Sequence, residues 1–235
     1  MGRAIFWVRD RRRILADLDA TLWHDSNHRA TFGTVPMAAE LAFGFVTESL
    51  PAVEVTLPDG RVLRVRGRID RVDVAADGSI HVVDYKTGSL RGGYKELSEH
   101  NPVVGGTKLQ LPLYGLAGRL AAQDPNVAVR AEYWFVTSNG GFERAGYAIT
   151  PEVLSRTTTV LAQIVAGIEA GVFSPHPGAL STFLWIDCHV CNPDGLGTAE
   201  LRHQWERKRH DPALAAYANL AEPLVDEADE EPAPA

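Results

Sequence analysis

One pair of segments restricts this chain more than any other. Gly67-Arg68-Ile69-Asp70-Arg71-Val72-Asp73 is followed, past an Asp77-Gly78 turn, by Val82-Val83-Asp84-Tyr85-Lys86-Thr87-Gly88. Both read as β-strands, and side chains along a strand alternate faces with period two. Asp84 and Lys86 must therefore point the same way, and pairing of the two strands can bring Asp70 beside them. Two carboxylates and an ammonium gathered on one face are costly in a core. Around a divalent cation and a phosphate they have a chemical purpose. Taken alone, Asp84 and Lys86 read more simply as an exposed cross-strand ion pair.

The rest of the chain sets these strands in a mixed architecture. Residues 9–30 are charged and rich in Ala and Leu, with Ile14, Leu15, Leu18 and Leu22 at helical spacing, which predicts an amphipathic helix. Gly33 and Pro36 end the link after it, and Met37–Thr47 reads as a strand with Glu40 among apolar residues. Val53–Leu57 and Val62–Val74 flank Asp59-Gly60, a strong hairpin signal. With Ile80–Lys86, the first half reads as an antiparallel meander. A Gly-containing loop over 89–106 leads to a helix over 107–123, with Pro112 in its first turn, where proline is tolerated. Strands over 128–137 and 142–149 follow, then a helix from Pro151 to about Ala170 with Gly171 as its C-cap. A basic helix over 198–209 and a short helix opened by Asp211-Pro212 complete the ordered part. The helix between the Ile80 and Ala128 strands can act as a crossover, making those two strands parallel. The expected class is α/β (α+β), a central mixed β-sheet flanked by helices.

Composition excludes little. The chain has 235 residues and a net charge of −7, but six of its 30 acidic residues lie beyond Ala221, in a tail without Lys, Arg or aromatics. That tail, 221–235, reads as disordered. The body is near neutral, which neither demands nor forbids nucleic acid, since a local basic groove suffices. Basic clusters stand at Arg9, Arg11, Arg12 and Arg13 and at Arg202, Arg207, Lys208 and Arg209; each also reads as a solvated helix face. No secretory signal or membrane-spanning run is visible, so the expected location is cytoplasmic and no membrane partner is expected. No Walker-type phosphate loop occurs.

With these strands placed, the chain resembles the PD-(D/E)XK nuclease superfamily, most closely the RecB/AddB-type exonuclease domains found at the C-terminus of helicase–nucleases. The resemblance runs over roughly residues 36–195 and rests on three motifs in order: Gly-x-x-Asp-Arg-x-Asp at 67–73, Asp-x-Lys at 84–86, and Gln-x-x-x-Tyr at 110–114. Asp-x-Lys alone is weak; the ordered combination is strong. The resemblance implies a restriction-endonuclease-like core and phosphodiester hydrolysis dependent on Mg²⁺ or Mn²⁺. It assigns Asp70 and Asp84 as metal ligands, the Tyr85 carbonyl as a third, and Lys86 as the catalytic lysine. Gln110 and Tyr114, four apart on one helix face, would brace Lys86 or touch the DNA backbone. The chemistry agrees: a hard cation on two carboxylates activates water and relieves charge, and a lysine is a point charge suited to the phosphorane. Implied partners are DNA, as ends or single strands, and a helicase subunit or domain, in recombinational repair.

Some features depart from that pattern. RecB-like domains carry an upstream Gly-x-x-x-His helix that completes the metal site. Here His24 and His28 stand four apart without the glycine, and each also reads as a surface histidine. Glu40 is either a supplementary ligand or a sheet-edge residue. Cys188-His189-Val190-Cys191 is a C-x-x-C, but the chain has only two cysteines, so a four-cysteine iron–sulfur cluster of the AddB kind is not expected within it. A zinc site with His176, His189 or His203 lacks standard spacing, and a vestigial knuckle is the simpler reading. Trp185, Trp205 and Tyr217 could stack on bases or pack in a C-terminal helix pair. The expected organisation is an N-terminal helix (1–35), a nuclease core (36–175), a knuckle with basic helices (176–220) and the tail. The chain is either the C-terminal piece of a longer helicase–nuclease or a stand-alone relative. Two further readings stay open: a degenerate module that binds DNA or scaffolds a helicase, and a site-specific endonuclease.

Overall fold

A computed structural model describes residues 4–46, 50–174 and 200–221. The chain forms two compact units, 1–159 and 160–235. The first unit holds a five-stranded sheet in the order β1-β4-β5-β6-β7, built from β1 (Thr34–Phe43), β4 (Gly67–Ala75), β5 (Ile80–Lys86), β6 (Val129–Phe135) and β7 (Arg144–Ala148). The pairs β1–β4, β4–β5 and β6–β7 are antiparallel. β5 and β6 are parallel, with α2 (Gln110–Ala122) as the crossover between them. The mixed sheet and its parallel pair follow the sequence reading.

The expected meander is interrupted. Val62–Val74 is not one strand: it breaks at Arg66 into β3 (Val62–Val65) and β4. β3 pairs with β2 (Val53–Thr56) in a separate two-stranded sheet, and β4 crosses to β1. Gly67 sits at this break because a Cβ there would lie 2.8 Å from the Phe43 ring and 3.3 Å from the Tyr114 ring. The glycine that opens the motif lets the end of β4 pass against both rings.

α2 covers one face of the sheet. Ile80 and Val82 approach it so closely that a Cβ on Gly118 would meet their methyls at 3.3 and 3.1 Å. Leu111, Ala117, Val72, Val82 and Ala131 are fully buried, so the apolar core lies on this side. α2 ends at Gln123 in the left-handed conformation, and Arg119 in its last turn donates to the Ile149 carbonyl at 2.8 Å.

α1 (Ala4–Phe32) lies along the opposite face and contradicts the amphipathic expectation. Leu15, Leu18 and Leu22, the residues expected to pack, are 46%, 53% and 65% exposed. The face turned to the sheet is polar: Asp17, Thr21, Asp25 and His28 reach it. The reason lies in the sheet, which presents Arg71, Asp73, Glu132 and Arg144 on that side; a helix covering them must supply charge and hydrogen bonds.

α3 (Pro151–Glu169) follows β7, and Gly171 closes it with a positive φ of 70°. In the second unit, α4 (Glu200–Lys208) carries Trp205, 2% exposed, whose ring meets Tyr217 of α5 (Ala215–Ala221) edge-on at 5.7 Å. Trp205 is thus a packing residue, with no face open to a base. Cys188, Cys191, Trp185 and the acidic tail lie outside the described residues.

Candidate active site

Asp70, Asp84 and Lys86 sit where β4 and β5 part. Their pairing runs from Val74–Ile80 to Arg71–Val83 and goes no further. Beyond that point the Tyr85 amide, which would otherwise seek β4, donates to Asp70 Oδ2 at 2.7 Å. One carboxylate oxygen of Asp70 is thereby fixed. The Tyr85 carbonyl belongs to the same end of β5, which still pairs with β6 but no longer with β4, while its side chain lies beside Trp134 at 5.7 Å between ring centroids.

The α2 side completes the cluster. Lys86 Nζ lies 2.5 Å from Asp84 Oδ2 and donates to Gln110 Oε1 at 3.1 Å. Gln110 Nε2 in turn donates to Asp84 Oδ1 at 3.1 Å. Gln110 therefore bridges the carboxylate and the ammonium with its two amide ends. Tyr114 Oη is 3.5 Å from Gln110 Nε2, at the outer limit of a hydrogen bond. Asp84 Oδ2 is buried, and its partner there is the Lys86 ammonium. Asp84 is 3% exposed, and burial pushes its carboxyl above the usual range, with the Asp70 carboxylate adding to the shift and Lys86 opposing it. Burial likewise raises the Tyr114 phenol.

One contributor escaped the sequence reading. Tyr133 lies opposite Asp84 in the parallel β5–β6 register, and its ring forms a floor 4.9 Å below Lys86 Nζ. Its hydroxyl is buried without a hydrogen-bond partner, and burial followed by the Asp84 charge raises its pKa. The signal available in the sequence was the crossover itself: a parallel β6 puts one of Tyr133 or Trp134 on the Asp84 face.

Other candidates fall elsewhere. His24 stacks on Phe142 at 4.8 Å, and His28 Nε2 is 3.6 Å from Glu132 Oε1. Both face the α1 side of the sheet, away from Asp84 and Lys86, so neither stands in for the upstream histidine of RecB-like domains. Glu40 lies between Ala39, paired with Arg71, and Leu41, paired with Ile69; it takes a positive φ of 51° and leaves Asp70 without a β1 partner. Its exposed carboxylate is 3.9 Å from Arg68. Asp73, in the same motif as Asp70, is on the other face, held by Arg71 at 2.6 and 2.5 Å. Among the described residues no group of three or more His, Cys, Asp or Glu side chains gathers into a ready cation cage.

A family model of the PD-(D/E)XK nuclease superfamily matches residues 2–194, which include the strand fork and α2. This chain belongs to that superfamily. The five-stranded mixed sheet flanked by helices is the restriction-endonuclease-like core. Curated relatives from several bacteria are named as one of the subunits of an ATP-dependent helicase/deoxyribonuclease. The protein from Thermoanaerobacter sp. (strain X514) is 30% identical over 149 residues, covering 62% of this chain and 12% of that one. The protein from Symbiobacterium thermophilum is 39% identical over 112 residues, 45% of this chain and 9% of that one. The protein from Bacillus mycoides (strain KBAB4) is 46% identical over 66 residues, 26% and 6% of the two chains. The chain thus spans about an eighth of the first of these relatives. No described helix is long and apolar enough to cross a membrane.

Proposed function

We propose that this chain is a divalent-metal-dependent deoxyribonuclease of exonuclease-like action, working on DNA ends or single strands with a helicase in recombinational repair. The observation that carries this reading is the Asp84–Lys86–Gln110 network placed beside Asp70 at the strand fork. The fork suits a hard cation: Asp70 has one oxygen fixed by the Tyr85 amide and one available, and buried Asp84 is close enough to feel the Asp70 charge. Asp70, Asp84 and the Tyr85 carbonyl would hold Mg²⁺ or Mn²⁺. When bound, the ion would polarise the phosphoryl group and lower the pKa of the attacking water.

The chain's own residues have separable tasks. Lys86, poised on Asp84 and over Tyr133, supplies positive charge to phosphoryl oxygens as charge builds on them. Gln110 holds Lys86 and Asp84 in register through one side chain, which restricts both rotamers. Tyr114 bounds the cluster from the next turn of α2 and can offer its hydroxyl to a phosphate. The helicase partner is supported by the name the relatives carry, which joins an ATP-dependent helicase to a deoxyribonuclease. A cytoplasmic location accords with work on chromosomal DNA.

A second reading, a catalytically degenerate module that binds DNA or scaffolds a helicase, is favoured by one observation: His24 and His28 face away from the fork. One comparison separates the two. Wild type, Asp84→Ala and Lys86→Ala are incubated with Mg²⁺ or Mn²⁺ and linear single- or double-stranded DNA. Metal-dependent cleavage by wild type that both variants lose supports the enzyme. DNA binding without cleavage by wild type supports the degenerate module. Closed circles against linear DNA then distinguish endonuclease from exonuclease.

A further inference from the structure

The loop between β5 and α2, residues 87–109, is fastened to the same face of the sheet as Asp84 and Lys86. Tyr94 sets its ring edge-to-face against Tyr133 at 5.1 Å and against Phe135 at 5.2 Å between centroids. Tyr133 is the ring beneath Lys86, so Tyr94 packs directly on the floor of the candidate site. Tyr147 lies opposite Ala131 in the β6–β7 pairing, two residues along the strand from Tyr133, and so shares that face. Its hydroxyl donates to the Pro102 carbonyl at 2.5 Å, and the adjoining Val103 is 2% exposed.

The loop also folds back on itself. The Lys108 amide donates to the Val103 carbonyl at 3.0 Å, and Thr107 Oγ1 donates to the Val104 carbonyl at 2.8 Å. A Cβ on Gly93 would lie 2.9 Å from Val104 Cγ1 and 3.7 Å from Lys108 Cε, so the glycine lets the two limbs close up. This doubling brings Lys108 Nζ over the Tyr94 ring, 4.1 Å from its centroid.

Two tyrosine rings in contact thus form a shelf with an ammonium over each. Lys86 is matched by Asp84. Lys108 is half-buried and, among the described residues, meets no carboxylate. Arg91 and Lys95 of the same loop are exposed. Lys108 differs from them: its stem lies against Gly93 and its charge stands on a ring, so less side-chain freedom is lost when an anion binds. The face of Tyr94 under Lys108 is already taken, which favours a phosphate over a stacked base as the ligand of this pair.

The contacts also set the spacing. Steps of 4.9, 5.1 and 4.1 Å lead from Lys86 through Tyr133 and Tyr94 to Lys108. Phosphates of one DNA strand recur about every 3.4 Å along the helix axis, so the two ammoniums lie within a few phosphates of each other. We propose that Lys108, held on the Tyr94 ring, binds a backbone phosphate of the DNA strand a few nucleotides from the scissile one at Lys86. The inference rests on the nuclease reading and adds to it a second grip on the strand, on the same face as the fork.

The test is the salt dependence of binding together with cleavage kinetics. A fluorescent single-stranded oligonucleotide is titrated onto the 235-residue chain at several salt concentrations, with EDTA present to prevent cleavage. Each phosphate contact contributes about 0.7 to the slope of log affinity against log salt for a single strand. Lys108→Ala lowers the slope by about that amount, and Lys108→Arg preserves it. With Mg²⁺ or Mn²⁺, Lys108→Ala raises KM severalfold and leaves kcat near the wild-type value, because a contact away from the scissile phosphate is made equally in ground and transition states. Tyr94→Leu frees the ammonium and weakens binding severalfold with the slope kept. Arg64→Ala, on the exposed β2–β3 hairpin, serves as the control and leaves the slope unchanged. An unchanged slope in Lys108→Ala, an equal change in Arg64→Ala, or full affinity in Tyr94→Leu overturns the proposal. If wild type cleaves DNA while Lys108→Ala keeps its slope and KM, the Lys108 assignment alone fails. If wild type neither binds nor cleaves, the nuclease reading fails with it.

Discussion

The two faces of the β4–β5–β6 sheet both carry charge, yet they use it differently. On the α1 face, Arg71 is fully engaged, by Asp73 at 2.6 and 2.5 Å and by Asp25 at 2.7 Å. Burial works against its charge, but these carboxylates and a contact with Tyr85 hold the guanidinium above its ordinary pKa. Glu132 is shared between Arg144 and Arg130 on the same face. On the α2 face, two carboxylates meet one lysine, which pairs with Asp84 and is bridged to it by Gln110. Closed, geometrically matched arginine pairs are a structural use of buried charge. Two carboxylates facing one ammonium leave a surplus of negative charge, which the proposed cation would neutralise. The difference is one of balance: arginines match the carboxylates on the α1 face, whereas carboxylates outnumber the lysine on the α2 face.

The largest effect expected from breaking this contrast is on stability. Arg71→Ala strands Asp73, which is 2% exposed, and Asp25 without their cation, and should cost about 3–5 kcal/mol. Urea denaturation measures it, and cleavage per folded molecule should persist. A loss below about 1 kcal/mol would put Arg71 among ordinary surface pairs. Next comes Lys86→Ala, which should reduce kcat by about a hundredfold or more with the fold retained, read by single-turnover cleavage and circular dichroism. Equal losses of activity and of folded protein would erase the distinction between the faces.

Gln110→Leu comes third. It removes both bridging hydrogen bonds, each worth about 1 kcal/mol, and should lower kcat more than it raises KM, since Gln110 holds Lys86 and Asp84 and not the distant parts of the strand. A pure rise in KM would reassign Gln110 to substrate binding.

The smallest effect is the dependence of stability on pH, where the faces should oppose each other. On the α1 face, burial first, then Arg144 for His28 and Arg130 for His81, holds both histidines below the ordinary value of 6.5. The 3.6 Å approach of His28 to Glu132 is therefore not an ion pair at neutral pH. The unfolded chain binds more protons than the folded one below 6.5, so stability carried by these neutral histidines is present above that pH and lost as pH falls. Asp84 has the opposite sign: its folded pKa is raised above 3.8, so its contribution is present below that value and lost as pH rises through the folded pKa. Melting temperatures across the acid range should fall less steeply in His81→Gln than in wild type. In Asp84→Asn, the partial compensation below neutrality should disappear.

Much of the candidate site on the α2 face was legible because its logic is local. Asp84 and Lys86 share a face by the strand period, and Gln110 and Tyr114 share one by the helix period. The crossover between Ile80 and Ala128 followed from a helix placed between two strands, and the structure makes that pair parallel. The α1 face was not legible. Leu15, Leu18 and Leu22 were a plausible buried stripe, but the sheet offered them Arg71, Asp73 and Glu132. The break at Arg66 was hidden too, since Val62–Val74 alternates well enough to read as one strand, and only the competing partners β2 and β1 divide it.

What could be read from residues alone, then, was the set of local periods and the motif they carry: an acidic strand, an Asp-x-Lys strand and a Gln-x-x-x-Tyr helix. That Asp70 would join Lys86 was already expected from the motif; the partners that surround each motif aspartate needed the third dimension. Asp70 and Asp73 are three residues apart in one strand, so they lie on opposite faces, and each face acquires its role from distant chain. Asp25 lies 46 residues from the Arg71 it holds, and Gln110 lies 24 from Lys86. Side-chain periodicity is a property of the backbone within a few residues, whereas charge neutralisation is a property of whatever the fold brings near.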